Sequence, residues 1–252
     1  DRLRSRGLGD VYKRQLQSAK TYYYVFRGAS LINVVCNISR NRAYPDFKND
    51  SKFNNLTENT MEILFKANSF PNTLNTLMGI ESNYLLRIGD ATIPNNQLQV
   101  ATSVNNCTSA DLQLESGKWY HVAVAFNKGN VKVYINGVEK LSGSTGKSSV
   151  SLGAKHTNEE DGSRCFWVGY SYKDDRYFDG VVSEVRIWNR ALTAEEIQAT
   201  NHFYTIEPES EGLIAYWKFD EGSGTVAKDY SVSGYDLTIE KEPKWESVSL
   251  PQ

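Results

Sequence analysis

Residues 117–144 read GKWYHVAVAFNKGNVKVYINGVEKLSGS. Residues 119–126 are a β-branched and aromatic run of strand length. A turn at 127–130 follows. Val131, Val133 and Ile135 then alternate with Lys132 and Tyr134, the period of a strand with one buried face. Asn136-Gly137 suits a tight type I′ turn, where both central residues need positive φ. Residues 138–141 return as a third strand. The product is a three-stranded antiparallel meander. Its first strand is apolar on both faces: Trp119, Ala123 and Ala125 on one, Tyr120, Val122, Val124 and Phe126 on the other. Such a strand is central and covered on both sides, so a second sheet is expected over the meander.

The rest of the chain repeats this grammar. Strand patterns are expected at 22–26, 31–35, 61–67, 85–89, 97–101, 150–152, 166–170, 180–188, 213–219 and 235–239. Residues 41–58 and 68–77 read as loops, and Pro94-Asn95-Asn96 as a turn. In 180–188 Val185 and Ile187 point inward, while Glu184 and Arg186 are expected on a solvated face. One short helix is expected near 193–201. Thr193 is its N-cap, Glu196 completes a capping box, and Leu192 with Ile197 offers a hydrophobic staple. The expected fold is all-β: a two-sheet antiparallel sandwich spanning 16–242, with 213–239 completing it and 243–252 as a C-terminal tail.

Residues 1–15, DRLRSRGLGDVYKRQ, lack this grammar, and 10–15 are what GATGTGTATAAGAGACAG encodes. That DNA resembles a transposase end used to tag sequencing libraries. The segment is expected to be non-native and disordered, with the natural N-terminus and further N-terminal domains missing.

The chain has 252 residues and a net charge of −2 without a basic stripe, which argues against nucleic acid as a partner. No apolar run is long enough to cross a bilayer. Cys36, Cys107 and Cys165 lack metal-ligand spacing and read as three free or buried thiols, with one disulfide plus a spare thiol as the alternative.

Three motifs carry a resemblance. The first is W-Y-H-V-A-V-A-F with V-K-V-Y-I-N-G at 119–137. The second is F-D-G-V-V-S-E-V-R-I-W-N-R-A-L-T-A-E-E-I at 178–197. The third is W-K-F-D-E-G-S-G with D-Y-S at 217–231. Together they resemble the laminin-G-like, concanavalin A-like jelly roll, a module widespread on bacterial surface proteins. The resemblance covers about 22–239. It implies a lectin-like module of a secreted or cell-surface protein, as in the outer-membrane lipoproteins of polysaccharide-utilising bacteria. The third motif opens such domains elsewhere and comes last here. Ser183 stands where the family usually has Asp, so no cation role carries over to it.

Jelly-roll glycanases place carboxylates on one strand face as E-x-D-x-x-E. That pattern is absent, as are sialidase-type Asp boxes, so catalysis is not expected. Histidines 121, 156 and 202 show no metal spacing, and His121 reads as a satisfied core residue.

Sugar recognition needs flat aromatic faces beside polar groups that bind hydroxyls. The loop after Trp167 supplies both: Tyr170, Tyr172 and Tyr177 with Asp174, Asp175 and Arg176. These seven residues are the expected glycan site, on the rim of a rigid sandwich. Calcium takes six to eight oxygens. Asp220, Glu221 and Asp229, or Glu159, Glu160 and Asp161, could contribute to one Ca²⁺. The alternative function is protein adhesion with no sugar ligand.

Overall fold

The structure, a computed structural model, describes residues 32–155, 165–171 and 174–250. The expectations for 1–15, for a strand at 22–26, for His156, for Glu159 to Asp161 and for Tyr172 lie outside the described residues.

Fifteen strands are formed among the described residues: β1 (Ile32–Asn37), β2 (Ala43–Pro45), β3 (Glu58–Ala67), β4 (Asn75–Ile80), β5 (Tyr84–Asp90), β6 (Ile93–Thr102), β7 (Trp119–Asn127), β8 (Asn130–Ile135), β9 (Val138–Ser144), β10 (Trp167–Val168), β11 (Gly180–Trp188), β12 (Leu213–Trp217), β13 (Val226–Ala227), β14 (Leu237–Ile239) and β15 (Lys244–Ser249). They make two antiparallel sheets. The first runs β15-β1-β11-β3-β7-β8-β9, with β12 also paired to β11; the second runs β13-β14-β2-β10-β4-β5-β6. Among the described residues one short α-helix, α1 (Ala194–Ile197), carries the expected capping box between Thr193 and Glu196.

The meander is β7-β8-β9. Asn136 and Gly137 have φ of 49° and 76°, the backbone a type I′ turn requires. Val122, Val124, Phe126 and Val133 face inward with Val185 and Ile187 from β11. They meet Leu86, Ile88, Leu98, Val100 and Val168 of the second sheet in one core. Each such side chain contributes about 1.5–3 kcal/mol relative to an exposed one.

The opposite face of the first sheet is covered too, though not by strands. Ala123, Ala125, Tyr134, Trp188 and Tyr216 pack under Leu192, Ile197 and Phe203. Residues 189–212 thus form a cover over this face. It corrects one expectation: Glu184 and Arg186 are 6 % and 0 % exposed, buried beneath the cover rather than solvated.

Several boundaries differ from the sequence reading. β2 and β4 lie in stretches expected to be loops, and Pro94 to Asn96 belong to β6 instead of a turn. Residues 213–239 do complete the sandwich, with β12 in the first sheet and β13 and β14 in the second. Residues 244–249, expected as tail, pair along all of β1, from Lys244 opposite Asn37 to Ser249 opposite Ile32. The three cysteines are free and buried, which leaves no disulfide among the described residues.

Candidate functional site

Val168 faces the core, so its β10 neighbour Trp167 points to the outer face of the second sheet. Tyr44 of β2 meets Trp167 edge-on at 5.2 Å, and Tyr170 does so at 5.1 Å. Tyr177 lies 4.9 Å from Tyr170. The Arg42 guanidinium sits over Tyr170, 4.9 Å from its centre, an arrangement in which the ring face attracts the cation. The loop folds back because Gly169 takes a φ of 78° and its carbonyl accepts the Phe178 N–H at 3.0 Å.

The structure therefore brings Trp167, Tyr170 and Tyr177 together, but with unequal access. Trp167 and Tyr170 are 3 % and 4 % exposed. They form the body of the cluster and present no open ring. Tyr177 is half-buried and lines a cleft of about 280 Å³ with Arg40, Pro71, Asn72, Phe178, Asp179 and Lys241. Asp175 is exposed, and Arg176 is committed to Glu81 at 3.0 Å. Asp174 lies in the 3₁₀ turn Asp174–Arg176.

The cleft is assembled from distant segments. Asn41 Nδ2 donates to the Lys241 carbonyl at 2.7 Å, and the Lys241 N–H donates to Asn41 Oδ1 at 3.1 Å. This reciprocal pair places Arg40 beside Lys241. Arg40 takes a left-handed φ of 52°, and its N–H donates to the Phe178 carbonyl at 3.2 Å. Asn72 Nδ2 donates to the Tyr177 carbonyl at 3.0 Å, which fixes the loop. Asp179 accepts from Ser39 Oγ at 2.8 Å and from Ser69 Oγ. Its charge is thereby spent on holding the floor. Sequence reasoning missed Arg40, Asn72, Asp179 and Lys241. Only Asp179 adjoined the aromatic loop; the others are brought in by pairings with no local signal.

The acidic residues proposed for calcium are already engaged in part. Asp229 Oδ1 accepts the N–H groups of Tyr216 and Ser231 at 3.0 and 2.9 Å, and Oδ2 accepts that of Tyr235 at 2.8 Å. Glu221 Oε1 accepts the Lys228 N–H at 2.7 Å. Asp229 acts as a clamp on three backbone donors and ties the end of β12 to the 229–235 turn.

A second polar cluster lies under the cover on the first sheet. Glu62 of β3 is flanked across the ladder by Arg186 of β11 and Ala123 of β7. Glu62 Oε2 accepts the Trp188 indole N–H at 2.7 Å and lies 3.7 Å from Arg186 Nη1. Glu62 Oε1 faces His202 Nε2 at 2.6 Å and His121 Nε2 at 3.3 Å. Arg186 Nη1 donates to the His202 carbonyl at 2.6 Å and Nη2 to Glu184 at 2.7 Å. Burial raises the Glu62 pKa, but the two imidazoles and Arg186 outweigh it and hold the carboxyl well below its usual range. Burial pushes His121 down, with partial relief from Glu62. Glu184 is driven by burial, against Arg186, up to about 7. Nothing in their spacing signals that Glu62, His121 and His202 meet; their ligand atoms all lie within 4.8 Å of one another. His121 is thus a core residue, as expected, but not a satisfied one: neither ring nitrogen makes a hydrogen bond.

Two antiparallel sheets packed face to face define a concanavalin A-like β-sandwich. The chain belongs to the concanavalin A-like lectin/glucanases superfamily, whose laminin G-type family matches residues 41–198. Among solved structures it is similar to a Bacteroides ovatus protein described as a "putative carbohydrate binding protein", at 27 % identity and a TM-score of 0.71. That match covers 87 % of this chain and 61 % of the other, so the chain spans about three-fifths of its relative. It also resembles domain 4 of an extracellular arabinanase from Geobacillus stearothermophilus in complex with arabinotriose, at 21 % identity and a TM-score of 0.47, covering 68 % and 81 % of the two chains. A pentraxin from Limulus polyphemus matches at 14 % identity and a TM-score of 0.42, covering 70 % and 78 %. No curated protein sequence matches.

Proposed function

We propose that this domain binds a glycan and breaks no bond in it, as a module of a secreted or cell-surface bacterial protein. The observation that carries this reading is the cleft at Tyr177. A half-buried aromatic face stands there beside an amide and two cations, Arg40 and Lys241, neither of which is paired with a carboxylate among the described residues. A sugar ring stacks its C–H face on Tyr177 while its hydroxyls take hydrogen bonds from Arg40, Lys241 and Asn72. Trp167 and Tyr170 set the angle of Tyr177 from behind. The likeness to the Bacteroides ovatus protein supports the same reading.

The non-catalytic part rests on access. Glu62 and Glu184 are carboxylates with strongly displaced pKa values, and both are sealed under residues 189–212 at 1 % and 6 % exposure. No glycosidic oxygen reaches them, whereas a general acid must touch the oxygen it protonates.

A glycan array followed by calorimetry tests the proposal. Tyr177→Ala is expected to weaken binding at least tenfold, about 1.4 kcal/mol, while still melting cooperatively. Binding is expected to persist in EDTA, because the cleft recruits no acidic cluster. Failure to bind any glycan would favour the adhesion reading. Hydrolysis of a bound oligosaccharide would refute the non-catalytic assignment.

A further inference from the structure

We propose that Glu62, His121 and His202 form a binding site for one zinc-class divalent ion, which pins the cover segment to the sheet. The three donors come from β3, β7 and the cover, and their ligand atoms lie within 4.8 Å of one another. Glu62 Oε2 is held by the Trp188 indole, which leaves Oε1 turned to both imidazoles. The His121 ring stacks on Phe203 at 4.5 Å and 17°, which fixes the direction of its nitrogens.

A tetrahedral zinc site has metal–ligand distances of about 2.0–2.2 Å, so its ligand atoms stand roughly 3.3 Å apart. The Oε1 to His121 Nε2 separation is 3.3 Å already. The Oε1 to His202 Nε2 contact is 2.6 Å and has to open by a fraction of an ångström. His202 belongs to the cover, outside the sheet ladders, so it is the donor able to shift.

The second observation is an unsatisfied histidine. His121 is 1 % exposed, yet neither ring nitrogen makes a hydrogen bond; Nε2 lies too far off line from Oε1 to count. Buried polar atoms without partners are rare, and a metal bound at Nε2 removes one of them. Two imidazoles and one carboxylate suit zinc and its neighbours, while calcium wants six or more oxygens. The His202 side chain, at 5 % exposure, marks the edge from which an ion enters.

The tag-free chain, stripped with EDTA and dialysed, is titrated with zinc chloride, and bound metal is measured after gel filtration. The expected result is one zinc per chain, a melting temperature raised by about 5 °C or more, and visible d–d absorption of a four-coordinate ion when cobalt(II) replaces zinc. His202→Ala is expected to abolish retention, the thermal shift and the cobalt bands while still melting cooperatively in EDTA. His156→Ala removes the third histidine of the sequence and is expected to keep all three signals. Should His202→Ala not fold, Glu62→Gln takes its place. Calcium is expected to give no shift. Absence of retained zinc in the wild type, or equal retention by His202→Ala or Glu62→Gln, overturns the proposal.

Discussion

Glu184 shows how one residue can be read correctly for pattern and wrongly for environment. Alternation in β11 assigns it, with Arg186, to the face opposite Val185 and Ile187, and that assignment holds. Alternation is silent about what lies on that face. Residues 189–212 lie there, and burial drives the Glu184 pKa up to about 7 despite Arg186 at 2.7 Å. A carboxyl whose pKa is higher folded than unfolded contributes stability that is fully present below its ordinary 4.5 and is lost as pH rises through 7. His121, lowered from 6.5 by burial, acts oppositely: its contribution is present above that value and is lost as pH falls below it toward the depressed folded pKa. The comparison that isolates Glu184 is therefore the difference between wild type and Glu184→Gln. Across the window from 4.5 to 7 that difference is expected to move in favour of the glutamine variant, at about 1.4 kcal/mol per unit where the shift is fully felt. Urea unfolding at a series of pH values measures it. Parallel stability curves for the two proteins would show that Glu184 does not titrate in this range.

At the scale of elements, strong local chemistry was legible and long-range pairing was not. Asn136-Gly137 dictated its own turn, and Thr193 with Glu196 dictated the start of α1. β2 and β4 escaped notice because their signals are weak. Pro45 and Asn75 are poor strand formers, and both strands exist because partners flank them on each side. Pro94 misled for a related reason: it opens β6 next to a tight connection at Ala91-Thr92, and β6 is an edge strand, where a missing N–H is tolerated. The aromatic loop was found from composition, yet the cleft needed Arg40 and Lys241, which the β2–β14 ladder and the Asn41 amide pair bring together. The cap of α1 allows a direct measurement. Thr193 Oγ1 accepts the Glu196 N–H at 3.3 Å, and Glu196 returns a bond to the Thr193 N–H at 2.9 Å. Thr193→Ala is expected to cost about 1 kcal/mol, a fall in melting temperature of roughly 2–4 °C for a domain of this size. Thermal melts of the two proteins check it. Because α1 anchors the cover, amide exchange is expected to quicken first across 194–206, ahead of the sheet.

For the whole molecule, the closing segments decide how the sandwich is sealed. β12 and β1 lie end to end along the same edge of β11: Val185 to Trp188 pair with β12, while Val181 and Val182 pair with β1. β1 thus has only two register partners on β11 but six on β15. Trp245 of β15 also packs against the main core, and its indole N–H donates to the Gly224 carbonyl at 3.2 Å. A chain cut after residue 242, where the sequence pattern places the end of the sandwich, keeps every strand of the second sheet and every residue that lines the cleft. It leaves β1 attached by a short stretch of ladder, with Val35 and Cys36, now 0 % exposed, at an open edge. Such an edge is an invitation to pair with another chain. The truncated protein is expected to melt several degrees lower and to associate with rising concentration, while the Tyr177 cleft continues to bind whatever glycan the intact domain binds. Differential scanning calorimetry with light scattering reads the first two effects and calorimetric titration the third. A truncated chain that melts like the intact one and stays monomeric would mean that β15 merely decorates a sandwich already sealed by β11 and β12.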